Sequence, residues 1–191
     1  EVARGVKDCL PSVPVVVAGR LAGVPAVLLE QNVIPGRATR WLSRLARRVC
    51  VSFDRTIGLL HGRSDIRTTG NPVRREIAEL GAAVTEPDDR PVLLVLGGSQ
   101  GASSLNRDVP AAAAAVADRL AGWEVIHQCG DGAASEVRKA YAQAGVTARV
   151  EPFFERPHEW YRRSRLVIAR AGATTLAELA ADEALRVLVL T

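Results

Sequence analysis

A doubly wound α/β architecture follows from three features of the 191-residue sequence. Short apolar runs recur along the chain, helical stretches separate them, and two of the runs end in a glycine-bearing turn that leads into a helix. Runs that are apolar almost throughout are what parallel strands buried on both faces require. Their alternation with helices is the pattern of a sheet wrapped on both sides.

In chain order, Val13–Ala18, Ala26–Glu30, Val49–Ser52, Val92–Leu96, Glu124–Gln128, Ala148–Glu151 and Leu166–Ala169 predict strands. Helical patterns cover Gly36–Arg47, Ser103–Ala121 with a break near Pro110, Ala133–Ala144, Pro157–Arg163 and Thr175–Ala181. The polar segment from Gly81 to Pro91 carries two prolines and precedes a strongly apolar run. It reads as a connection between two α/β units, although a surface loop within one domain has the same composition.

At 48% hydrophobic residues the chain can bury a core, which argues against intrinsic disorder. No apolar run approaches the ~20 residues that span a bilayer, and no secretory leader pattern is present. The net charge is +4, with 23 Arg and only Lys7 and Lys139 among the bases. That balance suits a phosphate-bearing ligand, an anionic membrane surface or nucleic acid without choosing among them. Cys9, Cys50 and Cys129 lie far apart and His61, His127 and His158 are scattered, so neither a zinc site nor a disulfide framework is expected, and the usage suits a reducing cytoplasm. The sequence contains no methionine and begins Glu1-Val2-Ala3, which predicts a processed chain or a fragment.

The sharpest motif is Val92-Leu93-Leu94-Val95-Leu96-Gly97-Gly98-Ser99-Gln100-Gly101, a strand running into a glycine-rich turn and then a helix. Glycine lets a backbone approach a ligand closely, and a helix N-terminus favours a diphosphate; Ser99 and Gln100 add side-chain donors. The string is neither a Walker A loop nor Gly-x-Gly-x-x-Gly, and it also fits a tight turn that binds nothing. A second strand–turn–helix unit runs from Leu166 through Arg170-Ala171-Gly172-Ala173-Thr174-Thr175-Leu176-Ala177-Glu178. Here Thr175-x-x-Glu178 fits a capping box. The functional alternative sets Thr174 and Thr175 against a phosphate and Glu178 against ribose hydroxyls.

Three further features carry weaker signals. Asn32, in Leu29-Glu30-Gln31-Asn32, sits at the carboxyl end of a predicted strand, where it serves either sugar hydroxyls or its own loop. Arg74 follows the rigid Asn71-Pro72 turn and is placed to meet a diphosphate or a base, or simply solvent. The stretch bearing Arg37, Arg40, Arg44, Arg47 and Arg48 with Trp41, Leu42 and Leu45 predicts a basic amphipathic helix. It is either a core helix with a solvated face or one drawn to anionic headgroups. Sparse aromatics and the absence of a recognised module argue against nucleic acid.

Taken in order, Leu28-Leu29-Glu30-Gln31-Asn32, Pro35-Gly36-Arg37-Ala38-Thr39-Arg40-Trp41-Leu42, Thr69-Gly70-Asn71-Pro72-Val73-Arg74, Gly97-Gly98-Ser99-Gln100-Gly101-Ala102 and Arg170 through Glu178 closely resemble the bacterial MurG family, over about residues 11–181. The resemblance implies a GT-B glycosyltransferase with two Rossmann-like domains: residues 1–74 as the later part of the acceptor-side domain and 75–191 as most of the nucleotide-sugar domain. It implies inverting transfer of N-acetylglucosamine from UDP-N-acetylglucosamine to lipid I, giving lipid II, by direct displacement with no essential metal or other cofactor. The implied location is peripheral, on the cytoplasmic face of the bacterial inner membrane.

Residue by residue, the resemblance gives Asn32 to the donor sugar and Arg74, Ser99 and Gln100 to the donor nucleotide. It gives the Phe154 backbone to uracil, and Ala173, Thr174, Thr175, Leu176, Ala177 and Glu178 to the diphosphate and ribose. The family's glycine-rich loop with its proposed catalytic His has no counterpart here, and Asp182-Glu183-Ala184-Leu185-Arg186 stands where a Gly-x-Pro turn is expected. Little turnover is therefore expected of this chain alone. Two alternatives are a non-catalytic UDP-sugar-binding remnant and another GT-B nucleotide-sugar enzyme.

Overall fold

The computed structural model describes residues 12–61, 64–79, 90–98, 101–181 and 186–190. Ser99, Gln100 and most of the Gly81–Pro91 segment lie outside them. The chain divides into two compact units, Glu1–Pro72 and Val73–Thr191. The division precedes Arg74 because Val73 packs against the second unit's core and Arg74 lies beside Glu178.

The first unit runs α1 (Ser12–Leu21), β1 (Val27–Glu30), α2 (Arg37–Leu42), β2 (Arg48–Val51) and β3 (Asp65–Thr68), with a 3-10 turn over Asp54–Leu59. Its strands form a parallel sheet in the order β1-β2-β3. Val49 and Val51 of the central strand are fully buried, with Ala46 and Leu60 around them.

Three expectations are corrected here. The valine-rich run predicted as a strand over Val13–Ala18 is helix α1. Pro14 falls in its first turn, where a missing N–H costs nothing. Its end is a Schellman stop: Gly23 has φ +76, its N–H reaches Arg20 O, and Val24 N–H reaches Gly19 O. These local bonds override the β preference of the valines. The predicted helix Gly36–Arg47 is cut to six residues, α2. Only Arg37 and Arg40 of the five arginines lie on it, and Arg48 opens β2 with its guanidinium 2.7 Å from Asp65. The polar strand β3 was not anticipated, because an edge strand needs no apolar run.

The second unit contains α3 (Arg75–Ala78), β4 (Val92–Leu96), α4 (Ser103–Ala115), β5 (Glu124–Gln128), α5 (Ala134–Gln143), β6 (Ala148–Glu151), α6 (Pro157–Arg163), β7 (Ser164–Arg170), α7 (Ala173–Leu179) and β8 (Arg186–Leu190). All five strands are parallel, in the order β6-β5-β4-β7-β8. Strand β4 is buried along its whole length. Val92, Leu94 and Leu96 face a cluster with Phe154, Tyr161 and Leu179, and Leu93 and Val95 face one with Leu105, Val137 and Tyr141. Period-2 alternation thus feeds two cores from one strand. Helix α4 passes through Pro110 unbroken and stops at Val116, and a 3-10 turn over Ala117–Leu120 follows. Strand β8 was likewise not anticipated.

Candidate functional site

The chain runs outward from β4 to β5 and β6 on one side, and to β7 and β8 on the other. That reversal is a topological switch point, and open α/β sheets bind ligands beyond the strand carboxyl ends there. Two hollows meet at this place. One of about 300 Å³ is lined by Gly97, Gly98, Arg170, Gly172 and Thr175. The next, of about 150 Å³, shares Gly98 and Thr175 with it and adds Arg74, Gln128, Phe154, Tyr161, Thr174 and Glu178. A third, of about 510 Å³, continues past Arg74 and Phe153 to His158.

The turn after β4 is shaped by its neighbour strand. A Cβ on Gly97 would stand 2.6 Å from Gln128 O, and one on Gly101 would stand 2.5 Å from Cys129 O. Both glycines are therefore required by close approach to the end of β5. Gly98, at φ +78 with open space around it, lines both of the adjoining hollows, whereas Gly97 lines only the larger of the two. Behind the turn lies a buried polar chain. Tyr141 O–H meets His127 Nδ1 at 3.0 Å, His127 Nε2 meets Asn106 Oδ1 at 3.1 Å, and Asn106 Nδ2 donates to Cys129 O at 2.9 Å. Since Asn106 Oδ1 only accepts, Nε2 carries the ring proton and Nδ1 accepts from the tyrosine. Burial pushes His127 down to about 4, so the ring is neutral.

The turn after β7 differs from expectation. Helix α7 starts at Ala173 with Gly172 as its N-cap, and no side chain caps it. Thr175 is therefore already inside the helix, and the capping box is not formed. Glu178 instead turns into the core side of the hollow at 6% exposure. Its Oε2 accepts from Tyr161 O–H at 3.0 Å. Its Oε1 lies 3.6 Å from Arg74 Nε and, among the described residues, is the one buried side-chain N or O atom without a hydrogen-bond partner. A buried carboxylate oxygen with a long ion pair to a half-exposed arginine and no hydrogen bond is chemically an acceptor for hydroxyl or N–H groups of a ligand.

Arg74, Phe154, Thr174, Thr175 and Glu178 are thus gathered around one hollow, while Ala173, Leu176 and Ala177 are not among its lining residues. Asn32 belongs to the first unit. Its N–H and Nδ2 both donate to Glu30 Oε1, at 3.0 and 3.2 Å, and its carbonyl accepts from Thr56 O–H. Gln128 and Tyr161 were overlooked in the sequence. Gln128 ends a buried strand and was findable by the rule applied to Asn32; Tyr161 sits mid-helix and carried no signal. No cluster of three His, Cys, Asp or Glu suited to a metal occurs among the described residues.

The family model for the glycosyltransferase family 28 C-terminal domain matches residues 92–191. The chain is 44% identical over 168 residues to the UDP-N-acetylglucosamine--N-acetylmuramyl-(pentapeptide) pyrophosphoryl-undecaprenol N-acetylglucosamine transferase of Desulfotalea psychrophila, covering 87% of this chain and 45% of that protein. The like-named protein of Xanthomonas campestris pv. campestris strain B100 is 49% identical over 167 residues, covering 86% and 37%. Among solved structures, the crystal structure of Acinetobacter baumannii MurG superposes with a TM-score of 0.62 at 32% identity, over 88% of this chain and 46% of that one. The chain thus spans less than half the length of these relatives.

Proposed function

From the premise that the chain belongs to glycosyltransferase family 28, whose C-terminal-domain model it matches over residues 92–191, we propose that it takes part in inverting transfer of N-acetylglucosamine from UDP-N-acetylglucosamine to lipid I. The products are lipid II, a peptidoglycan precursor, and UDP. The observation that carries this reading is Glu178 Oε1 at the switch point, buried beside Arg74 and without a hydrogen bond. A nucleoside diphosphate fits the trough: ribose hydroxyls donate to Glu178, and the diphosphate lies along Gly98, Thr174 and Thr175, near Arg74. The Phe154 backbone is the proposed partner of uracil, and Ser99 and Gln100 are proposed contacts of the donor nucleotide. Ala173, Leu176 and Ala177 are carried as part of the helix start that shapes the diphosphate site. Asn32 is assigned to the donor sugar. The test is calorimetry with UDP-N-acetylglucosamine against UDP-glucose; indifference to the N-acetyl group would count against this reading in favour of another nucleotide-sugar enzyme or a UDP-sugar-binding remnant.

We further propose that the first unit meets the anionic cytoplasmic face of the inner membrane. No described helix is long and apolar enough to cross a membrane, so attachment would be peripheral. Arg37, Arg40, Arg44 and Arg47 stand around Trp41, which is 47% exposed. Arg48 is committed to Asp65 and drops from the set. Binding to phosphatidylglycerol vesicles that persists unchanged at high salt, or after Trp41→Ala, would refute this surface.

A further inference from the structure

Glu178 has two oxygens in unlike circumstances, and the difference originates in α6. Tyr161 projects from that helix into the apolar cluster under β4, at 3% exposure, and delivers its O–H to Oε2. The helix is held from several sides. Phe154 packs on Trp160 with ring centroids 5.8 Å apart, the Arg149 guanidinium lies 4.7 Å over the Trp160 ring, and Arg163 pairs with Glu124 at 2.7 Å. Burial and the adjoining carboxylate push the Tyr161 phenol far above its ordinary value, so it remains a donor at any working pH.

The terminal torsion of a glutamate is broad, with no strong preference of its own. Oε1 already lies 3.6 Å from Arg74 Nε, so without the phenol the carboxylate loses its only hydrogen bond among the described residues and is left to the pull of the arginine, whose fork favours both oxygens. With the phenol, Oε2 is taken and Oε1 is left without a hydrogen bond in the residue that lines the hollow.

We infer that Tyr161 is a positioning residue of the donor site: by engaging Glu178 Oε2 it holds Oε1 toward the ribose hydroxyls of a nucleoside diphosphate and sets how strongly those hydroxyls are recognised. This rests on the assignment of Glu178 to the ribose. It adds a residue that touches no ligand, and a mode of action that a packing role would not share.

The experiment is titration calorimetry of the 191-residue chain with UDP and with 2′,3′-dideoxyuridine 5′-diphosphate, in the wild type and in Tyr161→Phe. The wild type is expected to prefer UDP by about tenfold, the equivalent of one charge-assisted hydrogen bond. Tyr161→Phe is expected to erase most of that preference while binding of the dideoxy analogue stays within about twofold. If the variant keeps the wild-type preference, or weakens both ligands equally, the inference is overturned. If the wild type itself shows no preference, Glu178 does not bind ribose, and the underlying assignment fails with it. Should Tyr161→Phe not fold, 3-fluorotyrosine at position 161 keeps the ring and hydroxyl but donates more strongly. With the bond to Oε2 intact, Oε1 stays held and the ribose preference should remain within about twofold of the wild type. A preference lost despite the intact donor would overturn the inference there as well.

Discussion

Glu30 and Glu178 are both 6% exposed, one in each unit, and their hydrogen bonding could hardly differ more. Glu30 accepts from Asn32 N–H, Asn32 Nδ2 and Gly36 N–H, so both its oxygens are occupied and the loop after β1 is tied to the strand end. Glu178 accepts from Tyr161 on one oxygen, and its other oxygen, 3.6 Å from Arg74 Nε, has no hydrogen-bond partner. Burial alone does not separate a structural carboxylate from a ligand-facing one; the state of its lone pairs does.

The comparison can be broken most directly at Glu30. Glu30→Ala leaves three N–H donors without their acceptor and should cost the first unit about 3 kcal/mol, read as lost hydrogen-exchange protection of the β1 and β2 amides. A loss as small as that of an exposed residue would remove Glu30 from the structural class. Next is His127, a third buried polar group with all its partners in place. Below its ordinary value of 6.5 the unfolded state takes up a proton that the folded state, at about 4, does not. Stability should therefore fall as pH drops from 6.5 to 4, by at most roughly 3 kcal/mol. His127→Gln should flatten that part of a urea-denaturation series, and a slope that survives the substitution would assign it to other groups.

Glu178→Ala should sharpen the contrast from the other side. UDP binding weakens by about 1–3 kcal/mol, while thermal stability falls less than for Glu30→Ala. The reverse pattern would make Glu178 structural. The smallest effect belongs to Asp65, whose exposed carboxyl is held below its usual range by Arg67 and Arg48. Stability from such a pair is present above the carboxylate range and lost as pH falls through it. Water and salt screen it, so Asp65→Asn should be near-silent in thermal denaturation at physiological salt.

The second unit was the more legible in sequence, for reasons visible in its packing. Strands β4, β5 and β6 begin and end at the residues expected; β4 and β5 are parallel strands buried along almost their whole length, while the edge strand β6 buries only Val150. Helix α6 also matches, opened by Pro157 in its first turn. Elsewhere the polar strand β3 escaped notice, and the valines of α1 favour a strand until its Schellman stop is recognised. At the candidate site, Glu178 reads from sequence either as a capping-box partner of Thr175 or as a ribose ligand; the capping box is not formed, because the helix starts at Ala173, which the Thr-x-x-Glu spacing alone cannot reveal. Tyr161, seventeen residues upstream of Glu178, becomes its neighbour only through the fold. The MurG-family resemblance read from five ordered motifs agrees with both the sequence relatives and the solved structure.

The central place of β4 has a consequence during synthesis. Its partners are β5 and β7, with Val92 aligned to Glu124 and to Ser164. A chain made from its amino end therefore exposes Val-Leu-Leu-Val-Leu as a bare two-edged strand long before β7 exists to cover one side. Pairings that close such long loops form slowly, and an uncharged apolar run of this kind is a template for pairing between molecules. The strand that organises the finished sheet is thus the segment most exposed to aggregation in the nascent one. Slowing elongation after Leu96 should raise the share of aggregated product, whereas a charge at Leu94 would relieve aggregation only by forfeiting the core.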